Sequence, residues 1–346
     1  MNDAKFEKAS TVDRKKGRSG KVALAGLVII AMLLTQLMFF PLPKPILRYA
    51  TVESAEWMLN DTESKSGGIG ALLKIFTAEL VQQSLTAHFY DRHSKTSWSN
   101  DAAYAGMLLH KLRPNLISQR EIYHETSGAP TALSGLGWCD ELNSIAGRLL
   151  ARDFDKVEIV GVRDKKFGGH SFGRFWSPQY ADWLYFDIWT EEVLIFRARA
   201  NAAPEYLYRS RPIGPSVVTP DDFELLTKLH SGATKGFVHN RLQDTVAGYF
   251  GTRIANIFAH GSPHPQEFLA TLKVMIADNA FEPVSWRKVP KNSTPLARTY
   301  GEARFAQMLG DDRTARRSYR LVAERDPESS YGLASKKFLD RLSTNR

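Results

Sequence analysis

Between Gly137 and Asp187 the hydrophobic pattern changes period, and that order constrains the fold more than any other stretch of the chain. Leu142, Ile145, Ala146, Leu149 and Leu150 fall at i, i+3, i+4, i+7 and i+8, which is one face of a helix. Residues 157–162 then alternate as a strand, and Asp164-Lys165-Lys166 turns the chain. The aromatic-rich runs 170–176 and 183–189 read as two more strands, separated by Ser177-Pro178-Gln179. Residues 191–199 fit strand or short helix equally. A helix followed by strands joined through short turns predicts an α+β domain.

The same stretch concentrates the chemistry. Cys139, the single cysteine of the chain, opens the helix, and Asp140 and Glu141 occupy its first turn, where carboxylates suit the helix dipole. His170 follows 31 residues later, after two glycines, and Asp187 lies 17 residues beyond it. A thiol attacks well only as the thiolate, which a helix N-terminus and a neighbouring imidazole both favour. At that helix start the Cys139 N–H points outward, placed to join an oxyanion hole. If the two aromatic strands pair as a hairpin, Asp187 reaches the far nitrogen of His170 and holds its tautomer.

Gly137-Trp138-Cys139, Gly169-His170-Ser171-Phe172 and Trp183-Leu184-Tyr185-Phe186-Asp187 resemble the core of the transglutaminase-like superfamily, which shares its architecture with papain-like cysteine peptidases. The resemblance covers roughly residues 70–195 and implies an α+β core with the helix packed on an antiparallel sheet. It implies Cys139 as nucleophile, His170 as general base and acid, and Asp187 as the orienting carboxylate, with no cofactor and no metal. Trp138, Trp98 and Tyr123 are candidate substrate or oxyanion neighbours. Two departures stand out: the family's His-Ala-Trp is His170-Ser171-Phe172 here, and its Asp-Pro is Asp187-Ile188.

Residues 22–40 carry no charge over 19 positions, close to the ~20 apolar residues that a membrane-spanning helix needs. Lys5, Lys8, Arg14, Lys15, Lys16, Arg18 and Lys21 precede this run, and Pro41, Pro43 and Pro45 follow it. Clustered basic residues stay cytoplasmic, so the pattern predicts an uncleaved single-pass anchor in the inner membrane, with the rest of the chain periplasmic or otherwise extracytoplasmic. A lone cysteine in an exported domain forms no internal disulfide and is either buried and inert or reactive. The net charge of +9 is dispersed without a basic, aromatic-interleaved patch, which argues against a nucleic-acid partner.

The chain divides into a basic tail (1–21), the anchor (22–40), a juxtamembrane connector (41–69), the transglutaminase-like domain (70–204), a helical extension (205–295) and a final helical segment (296–346). Helices are expected at 69–90 and 102–112. The boundary after Pro204 rests on Pro212, Gly214, Pro215 and Pro220, with helices expected at 221–230, 240–258 and 265–277. The last segment resembles one tetratricopeptide hairpin with a further helix, either packed on the rest or forming a protein-docking module. His260 and His264 are interrupted by Gly261 and Pro263, a poor zinc helix. Of Trp176, Trp183 and Trp189, core positions are expected, with one lining a groove.

The expected function is cleavage or transfer of an amide or peptide bond through a thioester, on a peptide, protein or amide-containing envelope substrate. The alternative is a catalytically inactive scaffold or binding module of an envelope or polysaccharide-export assembly.

Overall fold

The structure, a computed structural model, describes residues 41–59, 69–95, 97, 98, 100–123, 130–165, 168–213, 218–241 and 294–344. Three helices come first: α1 (Lys44–Leu59), α2 (Ile69–His93) and α3 (Asp101–Leu112). The Asn100 side chain starts α3 by accepting from the N–H groups of Ala102 and Ala103. A 3-10 turn at Arg113–Asn115 leads to the short strand β1 (Ile117–Ser118). Then α4 (Thr131–Ser134) and β2 (Leu136–Gly137) run directly into α5 (Cys139–Leu150). β1 and β2 pair in parallel.

The sheet follows: β3 (Val157–Asp164), β4 (Gly168–Ser177), β5 (Asp182–Asp187), β6 (Leu194–Arg197) and β7 (Glu205–Arg209). After α6 (Pro220–His230) comes β8 (Phe237–Arg241), and the described strands order as β7-β6-β5-β4-β3-β8, antiparallel throughout. The mixed α+β fold expected from the sequence is therefore present. α5 packs across β3 and β4 through its apolar stripe, in which Leu142, Ile145, Ala146, Leu149 and Leu150 are all buried. Strand alternation puts His170 and Phe172 on one face of β4, and Gly173 and Phe175 on the other. On the first face, Val160, Val162, Phe172, Tyr185 and Phe196 form a core closed by Leu229 of α6. On the second, the Phe186 ring lies against Gly173, where a Cβ would come within 1.8 Å of it.

Three helices complete the described chain: α7 (Thr294–Leu309), α8 (Asp312–Arg325) and α9 (Ser330–Thr344). α7 packs on α1, α2 and α4, and the described residues from Leu42 onward form one compact unit. The contacts are specific. Tyr300 Oη donates to Ser134 O (2.5 Å), while buried Arg304 donates to Ala132 O (2.9 Å) and Leu133 O (3.2 Å). Those are the last carbonyls of α4, which no helical N–H can reach, and a cation at a helix C-terminus is favoured by the dipole. α4 ends at Gly135, with φ 69°; a Cβ there would also collide with the Arg304 guanidinium at 2.7 Å. α9 adds Arg341, which donates to Leu116 O (2.5 Å) and pairs with Glu121.

Several expected boundaries change. The connector 41–69 contains a regular helix, α1, because Pro45 falls in its first turn, where a missing N–H costs nothing. The boundary after Pro204 is absent: Glu205–Arg209 is the edge strand β7, and a proline just before an edge strand removes no ladder bond. Residues 205–213 and 218–241 thus belong to the sheet domain rather than to a helical extension, and Asn240 lies in β8 rather than in a helix. Of the two alternatives for residues 191–199, the strand is found, as β6 over Leu194–Arg197. The described part of the segment 296–346, residues 296–344, is helical and packed on the rest, the first of its two expected arrangements. No helix among the described residues is long and apolar enough to cross a membrane. The run 22–40, residues 242–258 of the helix expected at 240–258, the helix expected at 265–277, and His260 and His264 lie outside the described residues.

Candidate active site

α5 begins at Cys139 because the chain arrives extended: Trp138, the N-cap, has φ −83° and ψ 177°. Glu141 then accepts a hydrogen bond from the Trp138 N–H at 2.9 Å, so the acidic first turn closes on the residue before the cysteine. The thiol is half-buried. His170 sits near the start of β4 and Asp187 at the end of β5, both buried. The register Gly173↔Phe186 makes Asp187 a diagonal neighbour of His170 on the same face, and His170 Nε2 lies 2.6 Å from Asp187 Oδ2.

The electrostatics follow from this placement. Burial opposes a charged His170, but the Asp187 carboxylate and its hydrogen bond outweigh it. A hydrogen bond and charge contribution from Cys139 adds to them, and the pKa of His170 is pushed up to about 10. Burial would likewise push the Asp187 carboxyl up, yet His170 and then His230 hold it far below the ordinary carboxylate range. Cys139, His170 and Asp187, the three residues singled out in the sequence, therefore lie together at the start of α5 and on β4 and β5.

Asp187 has more partners than the sequence suggests. Its Oδ1 accepts from the Trp189 N–H (2.9 Å) and from Asn143 Nδ2 (3.2 Å). Its Oδ2 accepts from His170 and also from His230 Nε2, at 2.9 Å. Asn143 lies one helical turn beyond Cys139. Its amide N–H groups also reach Cys139 O and Ser171 O, both at 2.9 Å, and its Oδ1 accepts from the Ile188 N–H at 3.1 Å. One buried amide thus ties α5 to both strands. The Trp189 ring lies 4.8 Å from the His170 ring, and the Arg120 guanidinium lies 4.9 Å above Trp189 and pairs with Asp222. Of Trp176, Trp183 and Trp189, it is Trp189 that lies beside His170.

Asn143 and His230 were missed by sequence reasoning. A signal existed for Asn143, a polar residue at i+4 from the cysteine beside the apolar stripe. His230 carries no local signal, since it ends an ordinary amphipathic helix 43 residues beyond Asp187. The candidate neighbours divide. Tyr123, 65% exposed, meets the Trp138 ring edge-on at 6.5 Å and so borders the start of α5. Trp98 is 48% exposed, two residues before Asn100, whose amide bonds Tyr180 in the β4–β5 turn. That turn is at the far end of β4 from His170, roughly 23 Å away along a seven-residue run of strand. The structure does not bring Trp98 to the cysteine.

His170, Asp187 and His230 present three potential ligand atoms within 4.8 Å of one another. The four acceptor positions of Asp187 are already met by four N–H donors, so hydrogen bonding alone accounts for the cluster. No protein-family model, curated protein or solved structure matches this chain. What fold and site define together is a half-buried thiol at a helix N-terminus facing a buried imidazole–carboxylate pair on an antiparallel sheet.

Proposed function

We propose that the protein is a thiol enzyme of transglutaminase-like type that cleaves or transfers an amide bond. The observation that carries this reading is the His170–Asp187 contact of 2.6 Å on a ring that also interacts with Cys139 at the start of α5. The Cys139 sulfur attacks the carbonyl carbon, and the new oxyanion is met by N–H groups at the helix start. The C–N bond then breaks, His170 delivers a proton to the departing amine, and a thioester remains. Water activated by the same ring hydrolyses it; an amine in place of water gives transfer. Hydrolysis is the simpler outcome, since water needs no second binding site.

The substrate class we favour is a peptide or other amide-containing envelope component, because residues 22–40 and their basic flank read as a single-pass anchor that carries the catalytic unit outside the cytoplasm. The rival reading, a catalytically inactive scaffold, keeps the same fold. A thiol-directed acyl probe separates the two: it should label wild type and not Cys139→Ala, which retains no cysteine. A folded wild-type protein that resists the probe over pH 5–10 would leave the scaffold reading in place.

A further inference from the structure

His230 stands in the site with no role in the chemistry described above. It is fully buried at the last turn of α6, and its ring stacks on Phe196 (centroids 4.0 Å apart, planes at 17°) with Phe172 edge-on at 5.1 Å. An ionised Asp187 only accepts hydrogen bonds, so the Nε2 of His230, at 2.9 Å from Oδ2, must carry its proton. The other nitrogen, Nδ1, then accepts, and the Tyr206 hydroxyl lies 3.3 Å from it. The ionisable groups that face His230 are Asp187 of β5, His170 of β4 and Tyr206 of β7. Burial lowers the proton affinity of His230, and Asp187 only partly restores it, which keeps the ring neutral.

We infer that His230 is a positioning residue that shares the Oδ2 atom of Asp187 with His170 and thereby sets the basicity and orientation of the catalytic ring; this rests on the thiol-enzyme reading. A single donor would leave the carboxylate free to rotate about its side-chain bond and would concentrate its charge on His170. A second N–H on the same oxygen withdraws part of that charge and fixes the direction of the lone pairs. A neutral donor does this without placing a second cation beside an imidazolium. His170 is then a strong enough base to hold the thiol proton, yet still gives it up to the leaving amine.

The test compares His230→Phe, which keeps an aromatic ring and removes the donor, with His230→Gln, whose amide nitrogen reaches where Nε2 stands. Two quantities are read on the full chain: acylation of Cys139 by a p-nitrophenyl ester, and its alkylation by iodoacetamide as a function of pH. In His230→Phe, the alkaline limit of the alkylation profile should move upward by about one pH unit. The maximal acylation rate should fall about tenfold or more, with KM unchanged. His230→Gln should return both towards wild type, which a purely structural role would not produce. If His230→Phe does not fold, His230→Asn serves: its shorter amide faces Tyr206 and not Asp187, so it should behave like the Phe variant while Gln does not. Wild-type profiles and rates in folded Phe or Asn variants would overturn the inference. Identical profiles in wild type and His170→Ala would instead remove the thiol-enzyme reading itself, a separate result.

Discussion

Replacing Asp187 with Asn alters one atom of the buried cluster, and the structure says which consequences follow. Oδ1 remains and keeps its bonds from the Trp189 N–H and Asn143 Nδ2. Oδ2 becomes an NH2 whose two hydrogens point at the two Nε2 atoms that previously donated to it, 2.6 and 2.9 Å away. Both rings must then accept at Nε2 and carry their proton on Nδ1. Every polar group stays paired, so the fold should survive with a loss of a few kcal/mol, as charge-assisted bonds become neutral ones. The chemistry should not survive. With Nδ1 already protonated, His170 cannot take the thiol proton on that nitrogen. The difference between a pKa of about 10 and the ordinary 6.5 is worth roughly 5 kcal/mol of preference for the charged ring, and most of that depends on the carboxylate. A loss on the order of ten-thousand-fold in acylation is therefore expected, as the same change produces in a Ser-His-Asp triad. Circular dichroism establishes that the variant is folded, and iodoacetamide alkylation from pH 5 to 10 reads the pair. A folded Asp187→Asn protein with the wild-type pH profile and acylation rate would refute the tautomer argument.

Three further outcomes follow. Arg304→Met should destabilise the protein by about 3–5 kcal/mol, because it leaves Ala132 O and Leu133 O without donors and deprives Gln307 of a partner; a thermal midpoint within a degree of wild type would contradict the role assigned to α7. Stability should fall on both sides of neutrality. His170, raised from 6.5 to about 10, contributes fully below pH 6.5, and that contribution disappears as pH climbs towards 10. The depressed groups act oppositely: His230 loses its contribution as pH drops below 6.5, and Glu121, held at about 2 by Arg113, Arg341 and Lys337 against the effect of burial, loses its own between 4.5 and 2. Urea midpoints in wild type and His170→Ala check this, since the alkaline decline should flatten only in the variant. Finally, a reporter active only in the cytoplasm and fused after Arg346 should be silent, and a strong signal would reverse the proposed topology.

Much of the site was legible because its parts are announced locally. The stripe from Leu142 to Leu150 specifies a helix whatever surrounds it, and the alternation in β3, β4 and β5 specifies strands. Cys139, His170 and Asp187 then sit at the ends of elements that short turns force to be neighbours, so their meeting could be anticipated. Tertiary structure alone decided what those residues would touch next. The five residues of β7 become a strand only because β6 offers a ladder, and Pro204 before them reads equally well as a boundary. Arg304 and Tyr300 cap α4 across more than 160 residues of chain, a match of donors to unpaired carbonyls that no periodicity encodes. His230 reaches Asp187 only once α6 has packed on the sheet. Periodicity reports which face of an element is apolar and leaves open what will cover it; hydrogen bonds between buried polar groups depend on that cover, because they form only where packing excludes water.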